Sequence, residues 1–214
     1  MIKAVIFDMD GLMIDSERVT FESYQKVLEP MGLTMDEKFY VTLLGKPVPG
    51  IRQRFLDDYG QDFPFEDVIK ACHETMQERF DTVGVPLKKG LVELLKYLKD
   101  HNYKTIVATS SNRDRVDRIL GQSDLTQYFD DSICGDEVTK GKPDPEVFLR
   151  SCQKLGVKPD EAVVLEDSES GIAAGHAAGI KVICVPDMKY PLPEFAEKTY
   201  KIIDSLDQVI PILE

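Results

Sequence analysis

The sequence predicts an α/β protein: a doubly wound, Rossmann-like parallel sheet with a small helical domain inserted into it. Three observations carry this. Short β-rich runs recur along the chain as continuous apolar stretches rather than apolar/polar alternation, the pattern of strands buried on both faces. Helical patterns separate these runs, and strands alternating with helices imply right-handed βαβ crossovers. One connection is far longer than a crossover needs. The length of 214 residues fits, lying between one average domain and two at roughly 100–200 residues each.

Ile2–Phe7 is the first strand and stops at Asp8. A single helix should lead to the next strand, Thr105–Ala108, and Gly90–Asp100 supplies it with Leu91, Leu94, Leu95 and Leu98 at helical spacing. Residues 16–83 are therefore surplus. A structureless loop of that length would count against the assignment, but the segment reads as helical. Ser16–Leu28 carries Val19, Phe21, Tyr24, Val27 and Leu28 and is stopped by Pro30 and Gly32. Asp67–Phe80 carries Val68, Ile69, Cys72, Met76 and Phe80. Val83-Gly84-Val85-Pro86 reads as the return linker. The expected division is residues 1–15 with 84–214 as the core and 16–83 as the insertion. The core continues with strand Ser132–Cys134, helix Glu146–Leu155 after Pro143 and Pro145, which suit a helix start, and strands Ala162–Leu165, Lys181–Val185 and a weaker Lys201–Ile203. Gly171, Gly175 and Gly179 recur every four residues beside Ala174 and Ala178. After a strand, this repeat predicts a helix seated closely on the sheet rather than membrane-helix pairing.

Composition narrows the function classes. The chain has 26 Lys+Arg against 38 Asp+Glu, a net charge of -12. That argues against a nucleic-acid polymer or an anionic membrane as partner, since both need a basic face. Cys72, Cys134, Cys152 and Cys184 form no C-x-x-C pair or zinc-like spacing and read as reduced thiols. Asp8 interrupts Ala4–Phe7 too early for a leader peptide. The longest uncharged stretch, Ser170–Ile180, is too short to span a bilayer. The expectation is a cytoplasmic protein without a membrane partner, monomeric by default.

Ligands of doubly wound sheets bind beyond the carboxyl ends of the strands, so the residues there are the candidates. Strand one ends in Asp8-Met9-Asp10-Gly11, the Thr105 strand in Thr109-Ser110-Ser111-Asn112, and the Ala162 strand in Glu166-Asp167-Ser168. Lys140-Gly141-Lys142-Pro143-Asp144-Pro145 lies between the last two. Ser111 or Ser168 alone reads as a helix cap. Four acids together do not read as caps, because carboxylates about 4 Å apart repel by roughly 4 kcal/mol at an effective dielectric of about 20. A divalent cation removes that repulsion, and hard oxygen ligands with room for a phosphate describe Mg²⁺. A phosphate beside Asp8 needs positive charge, which Lys142 offers. Thr109 adds a hydroxyl, and the Ser110 and Ser111 N–H groups are expected to open an anion-favouring helix. Lys140 reads as a solvated surface residue.

Asp8-x-Asp10-Gly, Thr109-Ser110, Lys142-Pro and Glu166-Asp167-Ser, in this order, resemble the four motifs of the haloacid-dehalogenase-like (HAD) hydrolase superfamily. The resemblance spans the chain, the helical insertion lying where that superfamily carries its α-helical cap. Phe7–Leu12 through Asp15-Ser16-Glu17, Gly141–Phe148 and Glu166–Ser168 are similar to the β-phosphoglucomutase-like branch, with pseudouridine-5′-phosphatase and sugar-phosphate phosphatases nearest. The resemblance implies that Asp8 is the nucleophile and forms an aspartyl-phosphate, and that Asp10 is the general acid and base. It implies Mg²⁺ held by Asp8, the Asp10 main-chain carbonyl and Asp167, with Glu166 a direct or water-bridged partner. Thr109, Ser110 and Lys142 would grip the phosphoryl group of a small phosphorylated metabolite.

Departures from the branch bear on the reaction. The mutases carry a cap histidine and a cap arginine; the matching positions here hold Thr20 and Lys46-Pro47-Val48, which favours hydrolysis over isomerisation. A sugar-phosphate mutase is the alternative. A phospho-accepting signalling receiver is a third reading, disfavoured because receivers need about half this length and place their acceptor aspartate on a middle strand, where this chain has Thr109. Asp15-Ser16 and Gly84-Val85-Pro86 are expected to be hinges. His73, His101 and His176 do not cluster and read as packing or surface residues; Met9 and Met13 read as packing residues.

Overall fold

The computed structural model describes residues 1–214. The chain divides into two compact units, Met1–Asp15 with Val85–Glu214 and, separately, Ser16–Gly84.

The larger unit is built on six strands: β1 (Ala4–Phe7), β2 (Lys104–Ala108), β3 (Asp131–Ile133), β4 (Ala162–Glu166), β5 (Lys181–Cys184) and β6 (Lys201–Ile202). They pair in parallel in the order β3-β2-β1-β4-β5-β6. The expected doubly wound sheet is therefore present, each strand within two residues of its expected limits. Strand order reverses at β1, which lies between β2 and β4. Burial explains why the strands read as unbroken apolar runs. Ala4, Val5, Ile6 and Phe7 are all fully buried. Ala4, Ile6, Ile106, Ala108 and Val164 share one core cluster with Val147, Phe148 and Ile172. Those three come from helices α7 (Glu146–Leu155) and α8 (Glu169–Ala177). Phe7 meets the Phe129 ring edge-on at 5.5 Å between centroids. Helix α5 (Leu91–Asp100) buries Leu91, Leu94, Leu95 and Leu98, the four leucines of its sequence stripe. Helix α6 (Arg113–Gln122) follows β2 and buries Val116, Ile119 and Leu120. Two further short helices, Pro193–Ala196 and Ile210–Leu213, complete the unit. No helix is long and apolar enough to cross a membrane.

The smaller unit holds four helices: α1 (Ser16–Leu28), α2 (Glu37–Val41), α3 (Val48–Tyr59) and α4 (Phe65–Val83). The first and last match the sequence stripes. The middle two carry almost no periodic signal, because Val48–Tyr59 buries only Phe55 and Leu56. Phe55 organises this unit. Its ring meets Tyr24, Phe39, Tyr59, Phe63 and Phe65 at centroid distances of 5.3–5.7 Å. The Thr20 hydroxyl donates to the Ser16 carbonyl at 2.8 Å, and Lys46 is exposed. His73, His101 and His176 are exposed, while Met9 and Met13 are fully buried.

The small-residue repeat resolves into two physical roles. A Cβ on Gly171 would overlap the Glu166 carboxylate, and one on Gly175 would come within 2.5 Å of Val182 Cγ2. Both positions let α8 lie close on β4 and β5. Gly179 has open space around it and a φ of +70°; it ends the helical segment rather than packing it. Gly175→Ala should gain about 1 kcal/mol of helix propensity and lose roughly 1–3 kcal/mol to overpacking. Urea denaturation should show net destabilisation in the native background and a neutral or stabilising effect in a Val182→Ala background, where the clashing methyl is gone.

Candidate active site

The site stands where β1, β2 and β4 end. Pairing of Phe7 with Leu165 brings the next residues, Asp8 and Glu166, side by side at the carboxyl edge. The Asp8 N–H continues the ladder by donating to the Leu165 carbonyl at 3.0 Å. The next turn brings the chain back on itself: the Met13 and Ile14 N–H groups donate to the Met9 carbonyl at 2.9 and 3.2 Å. Gly11, with φ +82°, permits this turn, and a Cβ there would overlap the Asp167 carboxylate. The absent side chain is what lets the Asp8–Asp10 loop approach Asp167.

Lys142 is the hub. Its ammonium donates to Asp8 Oδ1 at 2.5 Å, Glu166 Oε1 at 2.6 Å and the Ala108 carbonyl at 3.0 Å. All three donors are used, one on each of the three central strand ends. Glu166 is fully buried and its second oxygen is saturated: Oε2 accepts from the Asp167 N–H, the Ser168 N–H and the Ser168 hydroxyl at 2.9–3.0 Å. Ser168 also accepts from the Gly171 N–H at 3.1 Å and caps α8, as expected. Thr109 is buried, and its hydroxyl accepts from the Ser111 N–H at 3.1 Å. Ser110 is exposed on the loop beyond it, and so is Lys140.

Two expectations about this loop are corrected. Ser110 and Ser111 do not open the helix: α6 begins at Arg113, and Asn112 caps it by accepting from the Arg115 N–H at 3.0 Å. Ser111 is therefore no cap either. Its hydroxyl donates to Asp10 Oδ2 at 2.7 Å, and Arg115 Nη2 donates to Asp10 Oδ1 at 2.6 Å. The sequence motifs contain neither interaction. One signal for Arg115 was present: Arg113 and Arg115 lie in the first turn of α6, where the helix dipole favours acids.

Electrostatically the site is short of positive charge. Burial, with the neighbouring Glu166 and Asp10 carboxylates, pushes the Asp8 carboxyl up to about 8 despite Lys142. Burial presses the Lys142 ammonium down, but Asp8 and Glu166 outweigh it and hold its pKa above the ordinary lysine value. Asp8, Glu166 and Asp167 each offer a carboxylate oxygen within 4.8 Å of the others. Such an all-oxygen set, drawn together where Gly11 lets the loop approach Asp167, suits a hard divalent cation.

Residues 5–185 match the haloacid dehalogenase-like hydrolase family. The chain belongs to that family. Among its relatives in the family, a phosphorylated carbohydrates phosphatase of Thermotoga maritima is 36% identical over 182 residues, covering 85% of this chain and 83% of that protein. A probable pseudouridine-5′-phosphatase of Drosophila melanogaster is 31% identical over 192 residues, covering 85% and 80%. The crystal structure of β-phosphoglucomutase from Clostridium difficile superposes with a TM-score of 0.71 at 25% identity, covering 98% of this chain and 93% of that one. Divalent-metal dependence is general among phosphatases of the family, in keeping with the acidic cluster.

The raised Asp8 pKa has a consequence for stability. Without a cation, folded Asp8 keeps its proton between its ordinary value of 3.8 and about 8, an interval in which the unfolded chain has lost it. Stability of the cation-free protein should therefore fall as pH rises through this interval. A cation takes up the ionised form, so its stabilising effect should be larger at about pH 8.5 than at about pH 5.5. Unfolding temperatures with Mg²⁺ and with EDTA at the two pH values check this; equal shifts would contradict it.

Proposed function

We propose that this phosphoric monoester hydrolase dephosphorylates a small phosphorylated metabolite, a sugar phosphate or a nucleoside or pseudouridine monophosphate, through an aspartyl-phosphate on Asp8. The observation that carries the reading is the Lys142 ammonium bound to both Asp8 and Glu166, a buried cation beside the nucleophile where a phosphate dianion needs one. Mg²⁺ is the cation of this reading, held by Asp8, Asp167 and the Asp10 main-chain carbonyl, with Glu166 beside them. When bound, it supplies neutralising charge for the phosphoryl oxygens. Asp8 attacks phosphorus in line; the bond to the leaving oxygen breaks, and Asp10 gives that oxygen a proton. Water then attacks the phospho-aspartate, Asp10 takes its proton, and Asp8 and inorganic phosphate are released. Thr109, Ser110 and Lys142 align the phosphoryl group, and alignment with charge neutralisation supplies most of the rate. In this reading residues 16–83 are the cap that selects the substrate. The enzyme works as a cytoplasmic monomer, and its net charge of -12 leaves polymeric nucleic acid and anionic membranes outside its range.

Isomerisation of a sugar phosphate is the second reading, favoured by the likeness to β-phosphoglucomutase and opposed by Thr20 and Lys46 at the mutases' histidine and arginine positions. Phosphate release across a panel of phosphorylated metabolites with Mg²⁺ should identify turnover, and Asp8→Asn should lower it by at least about 1,000-fold with an unchanged circular dichroism spectrum. Robust turnover by that variant would remove the assignment; isomerisation of a hexose 1-phosphate faster than phosphate release would favour the mutase.

A further inference from the structure

Arg115 is poorly explained by its own helix. It occupies the first turn of α6, where a cation opposes the helix dipole at a cost of roughly 0.3–1 kcal/mol. Arg113, in the same turn, is accounted for by its bonds to Glu137 at 2.6 Å and Ser132 at 2.5 Å. Arg115 instead reaches the Asp10 carboxylate, 105 positions away in the chain. The pair is largely sheltered, with side-chain exposures of 24% and 27%. Its base is firm: Asn112 caps the turn that carries Arg115, and Val116, Ile119 and Leu120 anchor the helix. Ser111 holds the other Asp10 oxygen and is fixed in turn, its N–H donating to Thr109 and its carbonyl accepting from the Gly135 N–H at 2.8 Å.

We propose that Arg115 is a positioning residue for Asp10, fixing Oδ1 of the acid–base carboxyl and leaving Oδ2 as the oxygen that carries the proton. The proposal rests on the reading of Asp10 as general acid and base. The two anchors differ chemically. A guanidinium only donates, so Arg115 can hold Oδ1 whether or not Asp10 is protonated. The Ser111 hydroxyl both donates and accepts, so it tolerates a proton on Oδ2. In the first step the Asp8–phosphorus bond forms, the phosphorus–oxygen bond to the leaving group breaks, and the Oδ2 proton passes to that oxygen. Placement matters here because a shift of about 1 Å can cost on the order of 100-fold in rate.

Leaving-group dependence separates positioning from mere support of the fold. An alkoxide must be protonated as it leaves, whereas p-nitrophenolate leaves without a proton. The constant kcat/KM reports only steps up to phosphorylation of Asp8, so hydrolysis of the intermediate does not enter. With Mg²⁺-loaded enzyme, Arg115→Met should lower kcat/KM on the order of 100-fold for the best alkyl phosphate of the substrate panel, and by less than about 3-fold for p-nitrophenyl phosphate. Arg115→Lys should fall between the variant and the native enzyme. The ratio of the two constants is independent of the fraction of folded protein, so partial unfolding cannot imitate the result. Equal losses with both substrates would overturn the proposal. Asp10→Asn in the same assays separates the two levels of the argument. If it splits the substrates and Arg115→Met does not, the role of Asp10 stands and that of Arg115 falls; if Asp10→Asn itself gives no split, both fall.

Discussion

Two carboxyl groups are buried side by side at the ends of neighbouring parallel strands, and the Lys142 ammonium lies between them and offsets their repulsion. Removing one partner from such a buried arrangement typically costs about 3–5 kcal/mol, so Lys142, Asp8 and Glu166 constrain one another's positions. The third Lys142 bond, to the Ala108 carbonyl, extends the constraint to the end of β2. Three strand ends are thereby tied by one side chain. The Glu166 oxygen that Lys142 does not engage is occupied by three donors from Asp167 and Ser168, which holds the turn into α8 in place.

The same hub is electrostatically incomplete, and the incompleteness is useful. One ammonium faces Asp8 and Glu166 with Asp167 close by, and burial above all, with the Glu166 and Asp10 charges beside it, raises the pKa of Asp8. A divalent cation and a phosphate dianion bring charges of opposite sign to such a site, so each favours the other. Close approach is achieved by omitting side chains. Gly11 lets the Asp8 loop meet Asp167, and Gly171 lets α8 pass the Glu166 carboxylate.

Much of this was legible in the sequence, for identifiable reasons. The central strands read as apolar runs because β1 and β4 are buried on both faces, and α5 was found because its four leucines all face the core. The acids and Lys142 stand out in the sequence because they fall at the strand ends of a doubly wound sheet, where ligands bind. The helices Glu37–Val41 and Val48–Tyr59 leave no mark in the sequence pattern: one is short, and the other buries too few side chains to show a period. Capping is a local rule and assigns Ser111 to a helix end, while its actual partner, Asp10, belongs to another loop. An arginine in a polar helix turn, as Arg115 is, gives no local sign of a partner beyond the mild conflict with the helix dipole.

The sequence by itself determined the sheet, the order of its strands along the chain and the residue types gathered at their carboxyl ends, since these follow from hydrophobic runs and turn chemistry within short windows. Only the tertiary structure decided which atoms meet. That Lys142 bridges Asp8 and Glu166 and that Asp10 is held by Ser111 and Arg115 depend on contacts between segments tens of residues apart. Such contacts are set by strand register and by glycine-permitted close approach, which local patterns do not encode.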